Sequence, residues 1–584
     1  MKFFVSSGNK IFTQMRVEYM KIKAVIFDLD DTLYDCTGSL IDASRRRAAR
    51  AMVEAGLPCS EEEVYQLQKE LTEKYGPYYL VFNEIVNKYH ADKKLVNIAY
   101  KAYNSSEVSE IQPFPYAIST LKELREKGYK LFLLTVGVHE RQEKKIQMLG
   151  LKPFFDEIVI NDQEIGLLVE DCMRDLVRRH NISPGEAVMV GDRVRDELRI
   201  AKSLGMTTIQ MLQGRFKNEP AMNECDRPDY KIKRIFQIPT ILQLNNLGKT
   251  PDKLKIVAIG GGTGLPIMLD GSKTYSKHLT AVVTVTDSGR SSGILREEFG
   301  ILPPGDARNC LVALSETEEQ ERELYQLFQY RFDRGSLEGM SLGNLLMTAL
   351  TDITGSFEQA IKRASKILNI RGKVLPSTLA NTHICAELED GTYVEEEFNV
   401  RAVGKSPIKD VFLKDENAAS PPEAIEEIHK ADIVVIGPGS LFTSIITNLL
   451  VPGIRNAIRN SKATKIYICN IVTQPGQTDL YKVSHHINAI VKYLGEGALD
   501  YVIVNNNIPR RDILDKYQKE GADVVLMDEG VYNLNVNVKK ADLVEDLNQK
   551  RILWEKQDLL RHDPDKLSDS ICRVYANLPL LTAS

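Results

Sequence analysis

Short apolar runs alternating with charged, helix-periodic stretches recur in two blocks along this 584-residue chain, and this limits the fold more tightly than anything else in it. AVIF at 24–27, KLFLLTVG, FDEIVI, EAVMVGD and TTIQML have strand length and end in polar or glycine-containing turns. AISTLKELREKG, HERQEKKIQMLG and RDELRIAKSLG lie between them and read as helices. Strands that alternate with helices of this length predict an α/β chain, with a parallel sheet covered on both faces.

Residues 35–112 interrupt the alternation. They read as helices broken at Gly56-Leu57-Pro58 and Gly76-Pro77, and so as a helical insertion after the first strand. The first block ends near 213. From 214 to 252 Pro220, Pro228, Pro239, Gly248 and Pro251 punctuate a weaker pattern, read as a connecting segment with the linker at its end, about 245–252. A second β/α block, 253–584, follows. Residues 1–20 read as an N-terminal extension, with Met20 a second candidate start.

Net charge is -5, from 75 basic and 80 acidic residues, which predicts no nucleic-acid partner and no polybasic membrane patch. No apolar stretch has the ~18 residues of a membrane span. Eight scattered cysteines include no C-x-x-C pair and no zinc spacing, as expected of reduced thiols in a cytoplasmic protein. Trp554 and the charged segment WEKQDLLRHDPDKL read as a surface amphipathic helix.

Chemistry-bearing residues cluster at strand ends. Asp28 and Asp30, in DLDDT, follow the first strand, and alternate residues of an extended segment point the same way. Two carboxylates so placed suit attack on a phosphoryl group by one and acid and base work by the other, though the same residues alone also read as an acidic turn that caps a helix. Thr135 ends another strand with a hydroxyl. Asp192, with Asp196 four residues on, ends a third, and Mg²⁺ takes one or two carboxylates besides phosphate and water.

This ordered set resembles the haloacid dehalogenase (HAD) superfamily over about residues 21–213, including a helical cap after the first motif. The resemblance implies a HAD-type parallel sheet, with Asp28 as nucleophile and Asp30 as acid/base. Asp28, the Asp30 carbonyl and Asp192 would hold Mg²⁺, Thr135 the phosphoryl oxygens, and Asp196 would complete the second acidic motif. One departure stands out: the family's lysine after E-x-G falls at Val169, within EIGLLVEDCMRDL. Lys144 and Lys145 are the candidate substitutes. The resemblance therefore leaves two roles open, a working Mg²⁺-dependent phosphatase or a decayed, ligand-sensing domain.

In the second block KIVAI leads into Gly260-Gly261-Gly262-Thr263-Gly264, a glycine-rich turn whose backbone N–H groups approach phosphate closely. VTVTD ends in Asp287. LPPGDARN carries Asp306, Arg308 and Asn309, and SLGNLL carries Asn344. A second Gly/Ser turn, Gly437-Pro438-Gly439-Ser440 with Ser444 beyond it, follows the strand ADIVVI, and TQPG follows another. Each of these alone also occurs in turns that serve only packing. In this order they resemble the gluconeogenesis-factor (YvcK-like) branch of the 2-phospho-L-lactate transferase (CofD-like) family, over about 254–510.

The resemblance implies a Rossmann-like domain binding a nucleotide or nucleotide-sugar, in this branch a UDP-sugar, with roles in carbon metabolism and cell shape. Gly261, Gly262, Gly264 and Asp287 would line the nucleotide site. Asp306, Arg308, Asn309 and Asn344 would reach phosphates or sugar, and Gly439, Ser440 and Ser444 would hold phosphate. The other branch implies group transfer from a guanylyl diphosphate donor to a deazaflavin with Mg²⁺. A third arrangement is a HAD phosphatase regulated by a nucleotide-sensing C-terminal half. Homo-oligomers are compatible with all three. The chain departs from the pattern at Ser288-Gly289-Arg290, Met340, Gln477 and Ser484-His485-His486, which favours binding over catalysis.

Overall fold

The computed structural model describes residues 21–76, 79–105, 110–162, 168–316, 322–545 and 560–582. The expected extension at 1–20, the E-x-G segment and Trp554 lie outside the described residues. The chain divides into two compact units, Met1–Gly248 and Lys249–Ser584.

The first unit holds strands β1 (Ala24–Phe27), β2 (Lys130–Val136), β3 (Glu157–Asn161), β4 (Ala187–Gly191), β5 (Thr207–Met211) and β6 (Tyr230–Ile232). They form one parallel sheet in the order β3-β2-β1-β4-β5-β6, which puts β1 and its acidic tail at the centre. Ala24, Ile26, Phe132, Leu134 and Met189 face helices through Met173, Leu176 and Leu198. Burial on both faces explains why these strands read as apolar runs rather than alternating patterns.

Between β1 and β2 the helices Asp42–Glu54, Glu61–Tyr75, Val81–Lys88 and Lys94–Tyr103 form the expected cap. It has its own core of Met52, Val64, Tyr65, Phe82, Ile85 and Leu95. Ser60 and Glu63 close a capping box at the start of the second of these helices.

The segment read as a connection is instead part of this unit. Tyr230–Ile232 adds the edge strand β6, and the Tyr230 hydroxyl donates to Asn245 at 2.8 Å. Asn246 accepts the Ile22 amide and donates to the Tyr129 hydroxyl, both at 2.9 Å. Three residues are too few for a periodic signal. Pro239, read as punctuation, sits in the first helical turn of Ile238–Asn246, where its missing N–H costs nothing.

The second unit holds β7 (Lys255–Gly260), β8 (His278–Val283), β9 (Lys373–Pro376), β10 (Ile384–Leu388), β11 (Tyr393–Glu395), β12 (Ile408–Leu413), β13 (Ile433–Ile436), β14 (Thr464–Ile468), β15 (Tyr501–Asn505) and β16 (Asn537–Ala541). Seven form a parallel sheet in the order β16-β15-β14-β13-β7-β8-β9, while β11-β10-β12 form a separate antiparallel sheet. From β7 the chain runs to β8 and β9, then crosses back to place β13 on β7's other side. The carboxyl ends of β7 and β13 therefore flank a topological switch point, where open α/β sheets bind ligands.

The C-terminal segment corrects the expectation of a surface helix. His562, Asp563 and Lys566 are buried, and the helix Pro564–Tyr575 is buried along nearly its whole length. Its charges are paired inside: Arg573 Nε lies 2.6 Å from Asp569, and Lys566 Nζ lies 2.8 Å from Asp542. A charged sequence looked like a wet face because pairing cannot be seen in it.

Among the described residues no single helix is long and apolar enough to cross a membrane. All eight cysteines are free thiols.

Candidate functional sites

In the first unit Asp28 leaves the end of β1 with its amide bonded to the Val190 carbonyl of β4. Asp192 follows β4, and Thr135 is the last residue but one of β2. Three adjacent strand ends thus deliver two carboxyls and a hydroxyl, as expected.

Burial pushes Asp28 well above the usual carboxylate range, and repulsion from Glu197 and Asp30 adds to it. Asp192 is raised in the same way by burial, then by Glu197 and Asp28. Among the described residues no three His, Cys, Asp or Glu side chains are grouped as a protein-only metal shell.

Asp30 behaves differently. Burial would raise it, but the Lys145 ammonium, 2.8 Å from each carboxylate oxygen, holds it below its ordinary value. Tyr34 donates to the same carboxylate at 2.5 Å. Gln142, one helical turn before Lys145, donates to Thr135 Oγ1 at 3.1 Å. Lys144 pairs with Glu140 on the surface.

Asp196 is partly exposed at the edge of this cluster. It precedes the helix Glu197–Ser203 and pairs with Arg193 at 2.7 Å on the surface. Its neighbour Glu197 is the buried one, accepts the Arg193 amide at 2.9 Å, and is pushed up to about 7 by burial. The expected acidic motif is therefore displaced by one residue, from Asp196 to Glu197, because the helix starts there.

In the second unit the two glycine turns meet. A Cβ on Gly264 would lie 2.7 Å from the Pro438 carbonyl oxygen, and one on Gly439 would lie 3.0 Å from the Gly261 carbonyl oxygen. Gly262 has φ +66°, a conformation that glycine adopts without strain. Ser444 lies beside it, in a buried π-helical turn, Leu441–Ile446. The second turn is tied to the third strand end by Asn470, which donates to the Gly439 carbonyl at 2.9 Å, and by Gln474, which donates to Ser440 at 2.8 Å.

Asp306 accepts the Gly262 amide at 2.9 Å. Burial pushes it up to about 7, and the Asp287 charge adds to this against the pull of the Gly262 N–H. Glu397 accepts the Ser288 amide at 3.3 Å, and burial and then the nearby Asp287 carboxyl push it up to about 8. Glu397 follows β11 in the short helix Glu397–Val400, so the antiparallel insertion brings it to this sheet edge.

Arg308 lies within reach of the Asp306 and Asp287 charges. It is buried, bonded to Ser341, and donates to Asn309 at 2.6 Å. Asn344 is likewise buried and donates to Ser291 at 3.2 Å. These side chains join the helices Arg290–Phe299, Gly305–Leu314 and Leu342–Thr354, while Arg308 Nε and Asn344 Oδ1 are buried without a hydrogen-bond partner among the described residues. The Arg290 side chain lies outside the described residues.

The family model for 2-phospho-L-lactate transferase CofD matches residues 256–544, and that for haloacid dehalogenase-like hydrolase matches residues 22–205. The gluconeogenesis factor of Halalkalibacterium halodurans is 47% identical over 320 residues, covering 55% of this chain and 96% of that protein. The chain belongs to the gluconeogenesis-factor family. The Bacillus subtilis gluconeogenesis factor is 44% identical over 317 residues, covering 54% of this chain and 96% of its own length. A crystal structure from Bacillus halodurans, described as a member of the upf0052 family, is 45% identical, with a TM-score of 0.51. It covers 55% of this chain and 99% of its own.

Within the gluconeogenesis-factor unit the structure brings together Gly261, Gly262, Gly264, Asp287, Asp306, Gly439, Ser440 and Ser444. Sequence reasoning missed Glu397. Its only signal was the acidic run Glu395-Glu396-Glu397, whose middle residue has φ +72° and turns the chain there. The haloacid-dehalogenase-like unit ahead of it brings together Asp28, Asp30, Thr135 and Asp192, and adds Glu197.

Proposed function

We propose that the gluconeogenesis-factor unit binds a UDP-sugar, and that the chain acts in the cytoplasm in carbon metabolism and cell-shape control. The observation that supports this best is the pair of glycine turns packed on each other at the switch point between β7 and β13. Two turns with small residues at contact leave backbone close to a diphosphate. The neighbouring carboxyls of Asp287 and Glu397 suit the hydroxyls of a ribose or sugar.

The test is calorimetric titration of the full chain with Mg²⁺ against UDP-N-acetylglucosamine, GDP and a deazaflavin. Micromolar binding of the UDP-sugar alone supports the reading. Deazaflavin binding, with or without GDP, replaces it with phospholactate-type group transfer.

The first unit supports a second activity, Mg²⁺-dependent phosphate-ester hydrolysis, because three strand ends set Asp28, Thr135 and Asp192 around one point. Asp28 and Asp192 would hold the ion with the Asp30 carbonyl. Two buried carboxyls at neighbouring strand ends fit a hard divalent cation, which needs only one or two of them. The ion supplies neutralisation of phosphoryl charge. The Asp28 carboxylate attacks phosphorus and forms an acyl phosphate as the ester P–O bond breaks, and the departing alkoxide takes a proton from solvent. Thr135 orients the phosphoryl oxygens, and the ionised Asp30 takes the proton of the water that hydrolyses the acyl phosphate. Turnover of p-nitrophenyl phosphate that needs Mg²⁺ supports this. Its absence at every Mg²⁺ concentration refutes it.

A further inference from the structure

Four carboxyl groups, Asp28, Asp30, Asp192 and Glu197, converge in the first unit, and a phosphoryl substrate brings more negative charge. Position 169, where the resemblance places a balancing lysine, holds a valine that packs against the sheet core with Cys172 and Ile200. That position is spent on the fold.

Lys145 supplies a cation from another direction. It projects from the helix His139–Met148, and its side chain is only 4% exposed. Its ammonium bonds both oxygens of Asp30 at 2.8 Å. Gln142, three residues earlier on the same face, holds Thr135. One helix turn therefore addresses both the group beside the reacting oxygens and the hydroxyl that orients the phosphoryl group. Lys145 is buried while Asp30 keeps 34% of its side chain exposed, and desolvation of the buried ammonium offsets the attraction, so stability alone does not account for this pair.

We propose that Lys145 is the charge-balancing, positioning residue of the phosphoryl site, acting through Asp30 in place of the lysine lost at Val169. The proposal rests on the phosphohydrolase reading of this unit.

The experiment titrates the full chain, with Mg²⁺, against orthovanadate by calorimetry, and follows p-nitrophenyl phosphate turnover and thermal unfolding alongside. Lys145→Met is expected to weaken vanadate binding at least tenfold and to lower kcat while the chain still unfolds cooperatively. Lys145→Gln keeps a hydrogen bond to Asp30 without the charge, and is expected to show the same loss. It serves as the reporter if the methionine variant does not fold. Lys145→Arg is expected to restore most of the vanadate affinity. Lys144→Met, on the surface, is expected to change nothing. Wild-type affinity in Lys145→Gln would overturn the proposal and leave Lys145 a structural ion pair. A wild-type chain that neither binds vanadate nor turns over ester would instead overturn the phosphohydrolase reading, and this proposal with it.

Discussion

Adding one methyl group at Gly264 tests whether the two glycine turns must touch for the second unit to bind its ligand. The new Cβ would sit 2.7 Å from the Pro438 carbonyl oxygen, 2.8 Å from its carbon and 3.2 Å from the Gly439 nitrogen. Carbon atoms rest at about 3.5–4.0 Å, so the turns must part by roughly 0.5–1 Å. All three atoms are backbone, so no side chain can swing aside. Overpacking of this kind costs about 1–3 kcal/mol, and alanine's better helix propensity returns about 0.5–1 kcal/mol at the start of the helix Gly264–Ser272. The net of about 1–2 kcal/mol falls on the arrangement that faces the ligand. Affinity for UDP-N-acetylglucosamine should therefore drop about 5- to 30-fold. Calorimetric titration of Gly264→Ala against wild type measures it, with Thr263→Ala at the exposed neighbouring position as a control expected to bind normally. Wild-type affinity in Gly264→Ala would refute the claim that contact between the turns shapes the site.

Glu397→Ala should weaken the same ligand up to about tenfold, since Glu397 is held largely neutral by burial and a neutral hydrogen bond is worth about 0.5–1.5 kcal/mol. Asp28→Asn should lower p-nitrophenyl phosphate turnover by about a thousandfold or more while the chain stays folded, as expected for loss of a nucleophile. Asp569→Ala should cost about 3–5 kcal/mol in urea unfolding, because it strips the buried Arg573 guanidinium of its carboxylate and Tyr275 of an acceptor at 2.8 Å. His486 is buried beside the Tyr467 hydroxyl, and burial lowers it to about 4. Between its unfolded value of about 6.5 and this one, the unfolded chain binds a proton that the folded chain refuses, so stability falls as pH drops through that window. Asp306 and Glu397, raised in the fold, act in the opposite sense, so the readout is a difference: His486→Gln should lose about 2 kcal/mol less than wild type between pH 7.5 and 5.

The strand-end acids and both glycine turns were legible because their signals are local: a short apolar run followed at once by a distinctive polar group. Lys145 and Glu397 were not, because each reaches its site from an element whose sequence looks like an ordinary charged helix or an acidic loop. Burial and pairing make them functional candidates, and neither is written in spacing. Glu197 was missed by one position, the scale on which a helix start escapes prediction. Arg308 was placed at the site by its position in LPPGDARN, but its bonds to Ser341 and Asn309 link it to residues that spacing does not reveal. The end of the first unit was misplaced because a three-residue edge strand has no period to detect.

The adjacency of β7 and β13 also bears on how the chain is made. Asn448, just beyond the second turn, donates to the Gly260 carbonyl across 188 residues of sequence. A growing chain thus carries the first glycine turn long before its counterpart exists, and cannot hold the proposed ligand until the far strand has docked. Pairings this distant in sequence form slowly. Once the strand is seated, any bound ligand favours the completed sheet by RT ln(1 + [L]/Kd), so the supply of that small molecule would govern how much newly made protein survives as well as what the finished protein does.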